Sequence, residues 1–431
     1  MVSVYAIETV LRKSGGLRPR WPLWARRRRC AAMFTAMGSG TPSTAGVVPA
    51  ALRVGSTPSS VVFARLRAAG PVTRDRLADH PDLSTATVNR QLHALVDAGL
   101  IVERPDLVDG GGIGRPKVPL ALNRDGLAVA AMHIGARRTL LAIADLSGRT
   151  LHSHAVLTPI GDADEAIGEL AEALRELVGR FSGRRFLWAG VAVGGNVDEM
   201  SGTVDHPVRG WRGAAVGAIV HDALGLPVSV CEHVQAMAAA ELVLGALGGD
   251  EVRGRTSIYW YARETVGMAL TVDGQVQVPN SGAGTVAHIP VCAPLFASPQ
   301  SPGPTVGLQR VIGTTVLGEA VWRAGFDDDG PDAARLRGQL VDERARALGE
   351  AIATIADVLN PDAVIVAGDA FADHPRGLAP VQAAFDAARH LPQRLELTPT
   401  RFGLGVQEAA AVVVALSVIY ADPIGSLIGR A

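Results

Sequence analysis

A chain of 431 residues is too long for one small domain and suits two or three, and its 48% apolar content supplies a sizeable core. Net charge is close to zero but unevenly spread: residues 1–56 carry nine Lys/Arg against one Glu, residues 57–123 eight against seven acids, and the remainder 24 against 34. Three widely separated cysteines, Cys30, Cys231 and Cys292, exclude a disulfide framework and a complete thiolate zinc site. They fit a reducing compartment. No apolar run reads as long enough to span a membrane, so the expectation is a cytoplasmic chain with no membrane partner.

Met1 to Gly55 holds Arg26-Arg27-Arg28-Arg29, two nearby tryptophans and a Gly/Ser/Thr/Pro/Ala stretch. Its arginines admit a basic arm for DNA or a twin-arginine export signal. Cys30 to Val48 is too polar for an export core. The reading adopted for residues 1–56 is a disordered basic leader, with the working initiator at Met33 or Met37.

From Pro58 the pattern becomes regular. Val62, Phe63 and Leu66 recur at helical spacing in Ser60 to Ala69, and Gly70-Pro71 stops that run. A second short helix fits Thr73 to Asp79, capped by Thr73 with Leu77 inward; His80-Pro81-Asp82 turns the chain. A third fits Thr85 to Ala98, capped by Ser84 and closed by Gly99. Val88, Leu92 and Leu95 form its inner face. Ala86, Arg90 and His93 form the outer one, with Thr85, Thr87 and Asn89 crowding the start. Small, hydrogen-bonding residues opening a protruding helix suit the major groove, where base edges offer donors and acceptors. Next come a strand at Leu100 to Val102, a glycine-rich tip at Asp109 to Gly114 and a return strand at Lys117 to Leu122. This is a hairpin wing with Arg115 and Lys117 at its base to reach phosphates. The expected partner is a double-stranded DNA operator, contacted by Thr85, Thr87, Asn89, Arg90, His93, Arg115 and Lys117.

From Leu127 strands alternate with helices, the signature of an α/β domain. Val129 to Ile134 and Leu140 to Ala144 read as paired strands, Asp164 to Gly179 as an amphipathic helix, and Phe186 to Val193 and Val228 to Cys231 as buried strands. Gln235 to Leu247 reads as a helix. Ser257 to Tyr261 and Met268 to Val272 read as a hairpin turned by Asp273-Gly274. Arg344 to Leu359 reads as a long helix, Ala363 to Ala367 as a strand and Glu408 to Tyr420 as a closing helix. Two halves, each a sheet with helices, give a bilobal body with a cleft.

The loop Gly190 to Gly202, Gly210-Trp211, Leu226-Pro227-Val228, Ala236 to Gly249, His288-Ile289-Pro290 and Leu359 to Gly368 follow one another in an order and spacing that resembles the ROK family, in its regulator branch with a winged head. That resemblance implies an α/β body of two actin-like (ribonuclease-H-like) lobes, preceded by a winged helix-turn-helix domain. Residues 57–123 would be the DNA-binding domain and 124–431 the effector-binding and oligomerisation domain, assembled as a homodimer or homotetramer.

The family's enzymes need an Asp-x-Gly-x-Thr turn to hold magnesium near ATP. The matching residues are His133-Ile134-Gly135-Ala136-Arg137, without the carboxylate. The second phosphate loop reads Arg263 to Ala269 and keeps only Gly267. Where the kinases carry Glu-Asn-Asp, with the last residue as base, this chain has Cys231-Glu232-His233. His233 could accept a proton, but positioning is most of phosphoryl-transfer catalysis. The expectation is no enzyme, no catalytic residue, no cofactor and no bound metal, since His288 and Cys292 are only a remnant of the family's zinc site. Asn196, Glu232, His233, Thr285, His288 and Gln309 would line a site for a small polar effector such as a sugar or its derivative. The reading is a repressor of carbohydrate-related genes with a catalytically dead sensor body. The alternatives are an ATP-dependent sugar kinase with His233 as base, and a ligand-independent regulator.

Overall fold

The structure, a computed structural model, describes residues 46–79, 83–108, 117–245, 254–279, 284–298, 303–326 and 330–427. The turn at 80–82, the glycine-rich tip at 109–114 and Arg115 lie outside them, as does the chain before residue 46.

Three helices open the regular structure. Thr57 caps α1, Pro58–Ala69, by accepting from the Ser60 amide at 3.1 Å, and Gly70 ends it at φ 72. α2 is Arg74–Ala78; Thr73 stands at its cap position but its hydroxyl makes no capping bond there. Ser84 caps α3, Thr85–Asp97, accepting from the Thr87 amide at 3.2 Å. Val88, Leu92 and Leu95 are fully buried, joining Val62, Phe63, Leu66 and Leu77 in one cluster. β1, Ile101–Glu103, then pairs antiparallel with β2, Leu120–Leu122, which also bridges to Val72.

The first lobe is a five-stranded sheet. β3, Leu127–Ile134, β4, Arg138–Ala144, and β5, Thr150–Leu157, form an antiparallel meander. The helix α4, Ala163–Gly179, returns the chain to β6, Arg185–Val193, parallel to β3. A small antiparallel sheet of β7, Asn196–Asp198, β8, Thr203–His206, and β9, Trp211–Ala214, follows. After α5, Val216–Leu224, β10, Val228–Glu232, adds parallel to β6, giving the order β10-β6-β3-β4-β5. The helix α6, His233–Ala239, leaves β10 and runs on as a π-helical segment, Ala240–Leu244.

The second lobe repeats that plan. β11, Thr256–Ala262, β12, Val266–Val272, and β13, Gln275–Val276, are antiparallel. Asp273 and Gly274, at φ 50 and 71, turn β12 into β13; the expectation that they join β11 to β12 is corrected, since Arg263 to Thr265 do that. β14, Pro290–Cys292, pairs with β15, Thr305–Gly307. The helices α7, Gln309–Ile312, α8, Thr314–Arg323, and α9, Pro331–Leu359, follow; α9 begins well before the expected Arg344. β16, Ala363–Ala367, α10, Asp369–Ala372, α11, Ala379–Ala388, and β17, Leu397–Pro399, complete the order β13-β12-β11-β16-β17.

The last helix, α12, Val406–Ala421, lies with α6 between the two sheets. Gly403–Ala421 is long and apolar enough to cross a membrane by length and composition, with mean hydropathy 1.8, which corrects the sequence reading; 72% of it is buried inside the protein, as a core helix is. The expected leader boundary at residue 56 is also corrected. Val47 bridges Val228 of the first sheet, Arg53 bridges Gln275 of the second, and Leu52 is buried. Residues 46–54 are therefore a strap across both sheets, placed there because Leu52 and the edge strands' unpaired amides need partners.

Candidate functional site

The carboxyl ends of β3, β6, β10, β11 and β16 meet in the cleft between the lobes, where open α/β sheets bind ligands. Glu232, last in β10, turns into α6 by capping it: its carboxylate accepts from the Val234 and Gln235 amides at 2.8 and 2.9 Å. Burial raises its pKa to about 7 against those two bonds. His233 opens α6, and its ring stacks on His133 of β3 with centroids 5.7 Å apart and planes 17° apart. Tyr261 of β11 meets His233 edge-on at 5.5 Å. His133 is buried with neither ring nitrogen partnered. Burial first, then the facing His233, lowers its pKa to about 3. Burial and His206 hold His233 at about 4. A Cβ on Gly194 would lie 3.5 Å from a His206 ring nitrogen and 3.7 Å from the His233 ring, ordinary contact distances that place this residue between the two imidazoles. Burial and Arg209 lower the pKa of His206 as well. Two imidazoles thus flank Gly194, and His133 stacks on the far side of one of them, His233.

Both turns that match the phosphate loops are tied down by side chains, the first through its carbonyls and the second through an amide and a carbonyl. The Arg209 guanidinium donates to the carbonyls of Gly135 and, at 3.0 Å, Ala136, while the Thr158 hydroxyl donates to Gly135 at 3.0 Å. Arg138 reaches away along the sheet to the Ala155 carbonyl at 3.0 Å. At the second turn Gln309 accepts from the Val266 amide at 2.9 Å and donates to the Glu264 carbonyl at 2.7 Å. Arg263 is held by Asp369 at 2.9 Å and by Gln407 at 3.3 Å. Gly267 has Val234 in its place of close approach, with a Cβ there only 2.6 Å from that side chain.

Glu232 and His233 therefore come together, joined by His133, His206, Tyr261 and Arg263. The amide of Gln309 is committed to the loop backbone. Thr285 and His288 lie exposed beside it, the Thr285 hydroxyl accepting from the Ala287 amide at 3.1 Å. Asn196 is exposed on β7 opposite Asp205. Sequence reasoning passed over His206 and Tyr261. The alternation Ser257, Tyr259, Tyr261 marked one face of β11, but only the fold sets that face against α6. Among the described residues no group of three or more His, Cys, Asp or Glu side chains is arranged to hold a metal ion.

On α3, Thr85, Arg90 and His93 are exposed and Thr87 and Asn89 half-buried. The Thr87 hydroxyl is shared with the capping Ser84 at 3.0 Å. Lys117 forms an exposed ion pair with Asp75 at the foot of α2.

The ROK family profile matches residues 129–303. A protein of Mycobacterium tuberculosis named as a transcriptional regulator is 43% identical over 395 residues, covering 88% of this chain and 90% of its own. A putative xylose repressor of a Caldicellulosiruptor species is 22% identical over 385 residues, 81% of this chain and 94% of its own. The crystal structure of a ROK family transcriptional regulator, described as a homologue of the E. coli MLC protein, matches with a TM-score of 0.68 at 21% identity, covering 86% of this chain and 98% of that one. That likeness fixes the fold, and with the 43% identity along nearly the whole length it follows that the chain belongs to the ROK family.

Proposed function

We propose that the protein is a cytoplasmic transcriptional repressor of carbohydrate-related genes. In this reading residues 57–123 form a winged helix-turn-helix head, and residues 124–431 form a bilobal body that oligomerises and senses a small polar molecule without phosphorylating it. The carrying observation is the 43% match to a named transcriptional regulator, whose unmatched share of this chain is smaller than the stretch Pro58–Leu122. The head's geometry supports it: α3 presents Thr85, Arg90 and His93 outward from a buried apolar face, next to an antiparallel pair whose second strand follows Lys117 by three residues. A two-fold assembly of such heads would read a two-fold operator. The cleft supports a sensor over a kinase. Two neutral rings in contact replace the magnesium acid and the base, and at the second phosphate turn Gln309 takes the Val266 amide and the Glu264 carbonyl. Of the candidate effector residues, Glu232 and His233, at the end of β10 and the start of α6, would be the ones to meet an effector in the cleft.

Transmission needs an effector that prefers one arrangement of the lobes. The strap at 46–54 touches both sheets immediately before Thr57, so a change in lobe angle pulls on the start of α1. Gel shifts on operator fragments selected from the source genome test the reading. Arg90→Ala should lower affinity by about 1–3 kcal/mol if the side chain makes a bidentate base contact. An unchanged shift at matched salt removes Arg90 from the interface. Failure to retain any duplex at low salt, or ATP-dependent phosphorylation of a hexose at appreciable turnover, sinks the reading.

A further inference from the structure

The end strand of a sheet turns a row of backbone amides and carbonyls outward, and the ends of the two lobes' sheets are treated differently. The segment before α1 closes two of them. Val48 donates to the Val228 carbonyl at 2.8 Å on β10, and Val54 donates to the Gly274 carbonyl at 2.9 Å beside β13. β17 is three residues long and ends in Pro399, which blunts that edge. β5 is eight residues long and, among the described residues, pairs with β4 alone.

The ladder fixes which groups of β5 face out. The Thr158 amide donates to the Arg137 carbonyl at 3.0 Å, so His154, Val156 and Thr158 bond towards β4, while Ser153, Ala155 and Leu157 turn their amides and carbonyls outward. Natural edges are guarded by Lys, Pro, charge or a bulge. Thr150 to Leu157 holds no Lys, no Pro and no acid, and its bulge lies at the start, where Ala144 faces Thr150. Ser153 is exposed and Leu157 is 77% exposed. One guard is present: exposed Arg138 donates to the Ala155 carbonyl at 3.0 Å.

We infer that β5 pairs with β5 of a second copy of this chain, antiparallel about a two-fold axis, so that the sheets of two first lobes become one. An edge whose outward groups alternate donor and acceptor is complementary to itself when reversed, which makes the contact isologous. Charge selects the same direction. Arg149 is exposed before the strand, and Asp162 and Asp164 are exposed after it. Antiparallel pairing brings the start of one copy to the end of the other, Arg149 towards Asp162 and Asp164, whereas parallel pairing would set Arg149 against itself. Leu157 leaves water against the added strand. Arg138 competes with the second copy for the Ala155 carbonyl and so holds the association weak. The pairing rests on the proposed reading only in giving the body's oligomerisation a surface. It is measured without DNA, so its failure leaves operator binding to the gel shift, and loss of operator binding leaves it standing.

Amide exchange at single-residue resolution on the full chain tests the pairing. Ser153, Ala155 and Leu157 should exchange about tenfold more slowly at about 200 µM than at about 2 µM, because association follows mass action. Val156, bonded to β4, should stay slow at both. Ser153→Pro removes only an outward amide, and Ser153→Lys adds the charge that guards natural edges. Both should keep the circular dichroism of wild type, return Ala155 and Leu157 to fast exchange, and sediment at lower mass than wild type at the higher concentration. The lysine variant carries the test if the proline variant does not fold. Arg138→Ala should slow Ala155 and Leu157 further at the lower concentration. Fast exchange of both amides at each concentration, or slow exchange that Ser153→Lys retains, overturns the pairing. So does slow exchange in a chain that sediments as a monomer, since another segment of the same chain would then cover the edge.

Discussion

His133 and His233 leave a titration signature that the carboxylates of a kinase would not. Burial holds them at about 3 and about 4, so the folded chain keeps both neutral where the unfolded chain, near 6.5, takes up protons. The unfolded state then binds more protons between about pH 6.5 and 4, and stability falls as pH falls through that window. Glu232 works in the opposite sense. Raised from 4.5 to about 7, it keeps its proton in the folded chain, so its contribution is complete below about 4.5 and lost as pH rises to 7. Between pH 6.5 and 4.5 the three groups leave a net difference of about one proton, roughly 1.4 kcal/mol per pH unit. Urea unfolding over this range should show Glu232→Gln with a steeper acid loss than wild type and His133→Phe with a shallower one. A Glu232→Gln profile shallower than wild type would contradict the assignment of a buried, protonated carboxyl.

At the scale of elements, β6 and α12 meet backbone to backbone. A Cβ on Gly190 would lie 2.2 Å from the Ala415 nitrogen, and no rotamer change relieves a clash with main chain. Gly168 sits inside α4 with nothing within 4 Å of its missing Cβ. The two glycines should therefore answer alanine with opposite signs. Gly190→Ala should cost about 3 kcal/mol by overpacking, and Gly168→Ala should gain about 0.5–1 kcal/mol by helix propensity. Equal effects in chemical denaturation would refute the close crossing. Gly190 was already prominent in the sequence, as part of the loop that carries the family resemblance. Its packing reason was not, because Ala415 lies more than 200 residues away. Local patterns were legible where chemistry is local: Val88, Leu92 and Leu95 all point inward as their spacing predicts. The β11–β12 turn was misplaced because Arg263 to Thr265 carry no glycine or asparagine to mark it. The first half of α9 was missed because Pro331 to Glu343 offers only three large apolar residues, Leu336, Leu340 and Val341, among interspersed charges. The π-helical segment has no sequence signal at all. The cleft cluster was half legible: His133 and His233 stood at motif positions, whereas His206 and Tyr261 arrive from strands that only the assembled lobes bring close.

Across the whole molecule, the strap is the element that the two lobes and the head share. The Val228 amide donates to the Gly46 carbonyl at 2.9 Å in the first lobe, and the Val276 amide donates to the Leu52 carbonyl at 2.9 Å in the second. Leu52, at 4% exposure, packs into the cluster that also holds Phe63 of α1 and Tyr420 of α12. Backbone bonds held by one continuous segment open together when that segment detaches, as a cooperative unit with its own free energy. Removing the Leu52 side chain deletes the segment's one buried anchor, at a cost of about 2–4 kcal/mol by lost burial and cavity formation. In Leu52→Ala the amides of Val228 and Val276 should then exchange faster together, although they belong to different sheets. Native-state hydrogen exchange at single-residue resolution reads both. If Val276 alone accelerates while Val228 keeps its wild-type rate, the strap opens piecewise and cannot carry lobe movement to α1.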